Sequence, residues 1–248
     1  MLEGIKAPLR RLRAYRALRF AYHFATDRTF RADHVMYLRR PGNLFQYRSF
    51  TREDRYPGIF AFVRERLAGV PQPRLLSFGC ATGEEVFSLR RYFPTALITG
   101  IDINAQDVAV CRARQEREGD ANMTFIQADS AGAEMPGSYD AVFCMAVFQH
   151  SALKDPSIRS CEAYIRFAAF EATLAGIARC IKPGGYLAMR HADFRFADAA
   201  CSQGFVPVMR LPPGGLLHPR FDRNNQRLPA ESDADVVFQK SGAWGTRR

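Results

Sequence analysis

Between residues 74 and 193 short apolar runs alternate with longer stretches of helical period, and no other feature of the 248-residue chain restricts its fold as much. Strands joined by crossover helices need this rhythm, because a parallel pair requires a connection of a dozen or more residues. The runs are "RLLSFG", "ALITGIDI", "MTFIQAD", "YDAVFCMAV" and "GYLAMRHAD", followed by "FVPVMRL" and "ADVVFQK". Between the first two lies "EEVFSLRRYF", with Val86, Leu89 and Phe93 at helical spacing; "AQDVAVCRARQERE" follows the second, with Val108, Cys111 and Gln115. The stretch "SIRSCEAYIRFAAFEATLAGIARCIKPGG" predicts a long helix with Ile165, Ala168, Ala172, Ala175 and Ile177 on or near one face, stopped by "KPGG". Ahead of the sheet, "RYPGIFAFVRERLAGV" predicts a helix that turns Ile59, Phe60, Val63 and Leu67 inward. The polar connection "PPGGLLHPRFDRNNQRLPAESD" is too long for an ordinary hairpin loop and reads as a mobile or functional segment.

With 47% hydrophobic residues the chain can bury one full-sized core. Charge marks off its beginning. Residues 1–70 hold 15 of the 35 Lys and Arg and 6 of the 25 Asp and Glu, so they carry +9 and the remainder +1. The expected organisation is a basic helical N-terminal extension or cap over 1–70 and one α/β domain over 71–248. In "PLRRLRAYRALRFAY" the arginines Arg10, Arg11, Arg13, Arg16 and Arg19 fall on nearly every side of a helical wheel, unlike a clean membrane-surface amphipath. A solvated face, an anionic surface and nucleic acid are the three uses such charge allows.

No apolar stretch approaches the roughly 18 residues of a membrane span, and arginines interrupt the N-terminus too often for a secretory h-region. Six scattered cysteines without Cys-x-x-Cys or a histidine at metal-ligand spacing point to reduced thiols in a cytoplasm, with no zinc site.

The chemistry concentrates in "LLSFGCATGEE", residues 75–85, where a glycine turn joins the first strand to the first crossover helix. Such a turn lets backbone N–H groups and a helix N-terminus approach a ligand closely. Glu84 and Glu85 open that helix and would repel a pyrophosphate while favouring a cationic or zwitterionic guest. Asp102, 19 positions after Gly83 at the tip of the second strand, is placed to accept from two ribose hydroxyls. Asp129 in "FIQADS" stands at the same sheet edge, where a carboxylate can accept from an adenine amino group. Adenosine without phosphate, joined to a positive group, describes S-adenosylmethionine.

From residue 75 to about 240 the sequence resembles the class I S-adenosylmethionine-dependent methyltransferases, with "LLSFGCATGEE", "GIDIN", "QADS", "YDAVFCMAVFQH" and "CIKPGGYLAM" in the family's order. The resemblance implies a Rossmann-like seven-stranded sheet with helices on both faces and a terminal antiparallel hairpin made by "FVPVMRL" and "ADVVFQK". It implies that Gly79, Cys80, Ala81, Thr82 and Gly83 line the methionyl end of the cofactor and Asp102 binds the ribose. Ile103 would pack on adenine, Asp129 and Ser130 would meet its amino edge, and Met145 would lie near the cofactor after the fourth strand. The family usually has an acid where Ser77 stands and a glycine where Ala81 stands; alanine demands a more ordinary dihedral, and serine brings no charge. "SFGCATGEE" is close to the first motif of the chemotaxis-receptor methyltransferases, but "MAVFQH" does not continue that likeness.

His150, after the fourth strand, is the candidate catalytic residue, as a base or an acceptor contact; a loop or capping role is its alternative. His191 at the end of the fifth strand is weighed in the same way. Tyr47, Phe50, Arg55 and Tyr56 suit a lid or simple packing of the extension. Cys80 reads as a packing residue, and Glu84 and Glu85 as ligand contacts or as favourable first-turn charges. The expected function is methyl transfer to a small or medium-sized acceptor. The alternatives are a regulatory binder of the same ligand, an RNA-directed methyltransferase using the basic extension, and a dinucleotide oxidoreductase, which the acidic pair disfavours.

Overall fold

The computed structural model describes residues 13–39, 44–46, 51–212, 217–232 and 234–242. Arg10, Arg11, Tyr47 and Phe50 lie outside them. The chain divides into two compact units, Met1–Pro41 and Gly42–Arg248.

In the first unit, α1 (Arg13–Thr26) and α2 (Arg28–Arg39) are separated by Asp27, whose carboxylate accepts from the Phe30 N–H at 3.0 Å and so caps α2. Phe20 stacks on Phe24 at 5.6 Å and meets Phe30 edge-on at 5.6 Å, closing the pair with aromatic contacts. Leu18 and Tyr22 remain exposed.

The second unit begins its regular structure with α3 (Pro57–Arg66), where proline occupies the first turn, a position whose N–H has no helical partner anyway. Ile59, Phe60 and Val63 of α3 are buried with Leu75 and Phe143, so this helix belongs to the sheet domain, although the charge asymmetry places the domain's start at 71. The sheet then alternates as expected. In order come β1 (Arg74–Phe78), α4 (Glu84–Tyr92), β2 (Leu97–Asp102), α5 (Ala105–Glu118), β3 (Met123–Gln127), β4 (Tyr139–Met145), α6 (Phe167–Cys180) and β5 (Ile181–Arg190). After them run β6 (Phe205–Arg210), β7 (Leu217–Phe221), β8 (Arg227–Ser232) and β9 (Asp235–Lys240). Seven strands form one sheet in the order β3-β2-β1-β4-β5-β9-β6; the first five are parallel and β9 is antiparallel to both neighbours. This is the Rossmann-like sheet with a terminal antiparallel pair that the sequence implies.

Alternation along the central strands divides two apolar layers. Leu76, Val142, Cys144 and Leu187 face α6, whereas Leu75, Ala141, Phe143 and Ala188 face α3, α4 and α5. The cap of α5 is legible in its residues: Asn104 Oδ1 accepts the Gln106 N–H at 3.0 Å, and Gly119 ends the helix at φ 69°.

One expectation changes. The helix expected to run from Ser157 to the "KPGG" stop is only Phe167–Cys180, and its buried face is Phe167, Phe170, Thr173, Leu174, Ile177 and Ala178, with Ala168, Ala172 and Ala175 exposed. Residues 157–166 are diverted by the turn before β8: Cys161 N–H donates to the Asn225 carbonyl, and Asn225 Oδ1 accepts the Phe167 N–H at 2.7 Å. The long connection after β6 contains regular structure that its sequence does not announce: Leu217–Phe221 and Arg227–Ser232 pair as a separate two-stranded hairpin. No helix among the described residues is long and apolar enough to cross a membrane.

Candidate functional site

The parallel strands β1, β2 and β4 deliver their C-terminal ends to one edge, and the candidate residues gather there. Past β1, the N–H groups of Gly79 and Cys80 both donate to the Ile101 carbonyl, at 2.8 and 3.0 Å, which folds the turn onto the tip of β2. Three of its residues are left-handed: Gly79 at φ 74°, Ala81 at 48° and Gly83 at 94°. Ala81 thus takes the glycine-like dihedral rather than the ordinary one expected of alanine. Its N–H donates to Asp102 Oδ2 at 2.8 Å, and that charge-assisted bond holds the strained backbone. Gly83 closes the turn with an N–H donated to Cys80 O at 2.9 Å and begins α4.

A side chain at Gly79 would place its Cβ 2.5 Å from Val147 Cγ2, at a dihedral that already disfavours any L-residue. Gly79→Ala is expected to lower unfolding stability by about 2–4 kcal/mol in denaturant melts. A loss below about 1 kcal/mol would show that Val147 yields freely.

Asp102 is buried, its Oδ1 accepting the Asn104 N–H at 2.8 Å while Oδ2 holds Ala81. Burial pushes its carboxyl up to about 6 against the lowering pull of these N–H donors. Ser77, fully buried on β1, donates its hydroxyl to Glu85 Oε1 at 2.8 Å. Glu85 as a residue keeps some contact with solvent, but its carboxyl group is desolvated and pushed up to about 7, opposed by the Ser77 bond and the Arg55 charge. The acid that Ser77 lacks is therefore supplied beside it from the first turn of α4. Glu84 accepts from Thr82 Oγ1 at 2.7 Å and tightens the turn from outside.

Cys80 is packed against Cys111, and its thiol is held well above the usual range by that hydrogen bond and by burial, the state of a packing residue. Ile103 is half-buried next to Asp102, and the Ala128 N–H on the Asp102 carbonyl at 3.0 Å brings exposed Asp129 and half-buried Ser130 to the same edge. Met145 is buried at the end of β4, beside the Val147 that covers Gly79. Among the described residues no cluster of three or more His, Cys, Asp or Glu could hold a metal ion.

His150 lies farther along the loop after β4, where its Nδ1 accepts the Ala152 N–H at 3.2 Å and caps the short helix Ser151–Lys154. Its own N–H donates to Asp193 Oδ2 at 2.7 Å. Asp193 is buried, and desolvation pushes its carboxyl up to about 7. His191, left-handed at φ 55°, stands after β5, its Nδ1 2.9 Å from Nε2 of His218 on β7. Of the lid candidates, Tyr56 is buried at the start of α3, with the guanidiniums of Arg55 and Arg190 5.2 and 5.8 Å from its ring centroid. Neither His218 nor the Ser77–Glu85 bond is legible by motif: His218 lies on a polar strand, and Ser77 and Glu85 meet only across the strand-to-helix turn. The "TGEE" signature was the available signal for the second.

The family model described as "Methyltransferase domain" matches residues 71–229. The chain belongs to this family. The methyltransferase domain is 31% identical over 130 residues to the fatty-acid O-methyltransferase of Mycolicibacterium smegmatis, covering 52% of this chain and 40% of that protein. It is 30% identical over 130 residues to the ubiquinone biosynthesis O-methyltransferase of Proteus mirabilis, covering 51% and 44%. The chain thus spans less than half the length of these curated relatives. Among solved structures, the N-methyltransferase NodS from Bradyrhizobium japonicum aligns with a TM-score of 0.49 at 14% identity, covering 76% of this chain and 99% of that one. The methyl donor of the class I family is S-adenosylmethionine, and the donor set fits it: carboxyl groups of Asp102 and Glu85 at the turn suit a ribose and a cation.

Proposed function

We propose that this methyltransferase domain transfers a methyl group from S-adenosylmethionine to a nucleophilic oxygen, nitrogen or carbon of a small or medium-sized acceptor by in-line displacement. The observation that carries the reading is the pair of carboxyl groups bonded into one turn, Asp102 through the Ala81 N–H and Glu85 through Ser77. A pyrophosphate would be repelled there, whereas a ribose and an ammonium group are served by acceptors. Asp102 accepts from the ribose hydroxyls with the lone pairs its two backbone donors leave. Gly79–Gly83 and Glu85 enclose the methionyl end, Ile103 packs on adenine, Asp129 and Ser130 meet its amino edge, and Met145 borders the sulfonium.

Methyl transfer requires mainly proximity and alignment, which the rigid turn and the strand ends supply. The two named relatives are both O-methyltransferases, which favours oxygen as the accepting atom. Against a merely regulatory reading, which the residues at Ser77 and Ala81 motivate, stands the Glu85 carboxyl group 2.8 Å from the Ser77 hydroxyl. The RNA-directed reading has only the charge of residues 1–70 behind it; a cytoplasmic setting agrees with six free cysteines.

Calorimetric titration with S-adenosylmethionine and S-adenosylhomocysteine, with NAD as control, tests the reading. Micromolar binding of both and none of NAD is expected; no heat with either overturns it.

A further inference from the structure

Beyond the turn, the site edge carries a second built feature that the methyl-transfer reading leaves unused. Arg190, the last residue of β5, is the register partner of Met145, and its carbonyl accepts the Ala146 N–H at 2.8 Å. His191 is therefore the first residue past the point where β4 and β5 close the edge. It holds φ 55°, a left-handed conformation that disfavours a non-glycine residue and persists only where surroundings enforce it. The enforcing contacts come from β7. Phe221 N–H donates to the Asp193 carbonyl at 2.9 Å, the buried Arg220 donates through Nη1 to the Ala192 carbonyl, and His218 meets His191 ring to ring. Three successive residues after β5 are thus each tied to the inserted hairpin.

We propose that His191 and His218 form a base pair that takes the acceptor's proton during methyl transfer. The proposal rests on the methyl-donor reading of the neighbouring turn. In a 2.9 Å contact between two ring nitrogens one must donate and the other accept, so both imidazoles cannot be fully protonated while it holds. With His191 Nδ1 donating to His218 Nε2, the Nε2 of His191 carries the basic lone pair. As an acceptor oxygen bonds to the methyl carbon, the carbon–sulfur bond breaks and its electron pair stays on sulfur, leaving S-adenosylhomocysteine. The acceptor's O–H proton moves to His191 Nε2, and the resulting imidazolium keeps its Nδ1–H bond to neutral His218. His191 is then the catalytic residue and His218 a positioning residue.

Aromatic and charged groups pack around the pair. Tyr56 from the start of α3 faces His191 with ring centroids 5.8 Å apart, and Arg190 and Arg55 bring positive charge to the same tyrosine ring. On the hairpin, Glu231 is the register partner of His218. The carboxylate of Asp193 is engaged by the His150 N–H.

Nitrogen-15 NMR of the histidines in the full chain, with and without ligand, decides the matter. Two probes are compared: S-adenosylhomocysteine, and sinefungin, which carries an amine where the transferable methyl group would be. The expected result is an Nδ1–H tautomer at His191 and a midpoint for proton uptake lower by about half to one unit with sinefungin than with S-adenosylhomocysteine, because a cation is then nearby. His218→Asn, which keeps an acceptor oxygen, should retain the His191 tautomer, and His218→Phe should lose it. If both probes bind but the midpoint is the same with each, or if His191 carries its proton on Nε2, the base pair falls and the methyl-donor reading stands. If calorimetry shows that neither probe binds, both fall together.

Discussion

Glu85→Gln will make the ligand-free domain more stable at pH 8 and, at the same time, a poorer binder of S-adenosylmethionine. In the folded chain the Glu85 carboxyl is pushed from its ordinary 4.5 up to about 7, with burial as the largest cause. A raised acid is bound to its proton more tightly in the folded than in the unfolded state. Its contribution is favourable at low pH and is lost as the pH rises from about 4.5 through 7. At pH 8 the ionised group costs up to about 3 kcal/mol, less what its contact with water and the Ser77 hydroxyl recover. Glutamine removes that penalty and can still accept from Ser77. Asp102, raised to about 6, and Asp193, raised to about 7, act in the same direction, so the melting temperature of the wild-type apo domain should fall between pH 6 and pH 8. The variant should show a shallower fall.

Ligand reverses the preference. A cation beside Glu85 favours its ionised form, so affinity for S-adenosylmethionine should rise with pH through about 7 and binding should release a proton. Glu85→Gln should weaken affinity by about one to two orders of magnitude, the share of one charge-assisted contact, and reduce the dependence of binding heat on buffer ionisation. Equal affinity in variant and wild type would remove Glu85 from the proposed site.

Asp102→Ala has two separable effects. The carboxylate is the partner of two backbone N–H groups, at Ala81 and Asn104, both at 2.8 Å. Its loss leaves buried donors without an acceptor and Ala81 in a left-handed dihedral with nothing to hold it, an expected destabilisation of about 2–4 kcal/mol. It also removes the proposed acceptor for two ribose hydroxyls, for an expected further loss of about 3–4 kcal/mol in binding, or about two to three orders of magnitude in Kd. Asp102→Asn keeps one carbonyl oxygen and so part of the turn, while losing the charge. A well-folded Asn variant with wild-type affinity would end the ribose assignment.

The central sheet strands were legible because buried strands read as near-continuous apolar runs, as in "YDAVFCMAV", all of whose β4 residues are buried. The acid 19 positions past the glycine turn was legible because backbone geometry dictates that spacing. The face of α6 was not. Its alanines form a plausible stripe, but the phenylalanines at 167 and 170 have far more area to bury against Phe194 and Phe148, and they set the rotation. The hairpin β7–β8 escaped because its strands are polar and contain prolines, although "DRNNQ", with Asn225 at φ 62°, is a turn signal that could have exposed it. Ser77 read as a missing charge because its compensation, Glu85, lies one strand-to-helix turn away and meets it only in the folded chain.

That hairpin pairs with none of the seven sheet strands, yet it bonds to the segments that follow β4 and β5 and to the start of α6. Arg227 binds carbonyls of Leu153, Asp155 and Ile158, Asn225 receives the start of α6, and His218 reaches the end of β5. A piece attached in this way shares no ladder with the sheet, so the seven-stranded pairing does not depend on the length of the segment between β6 and β9.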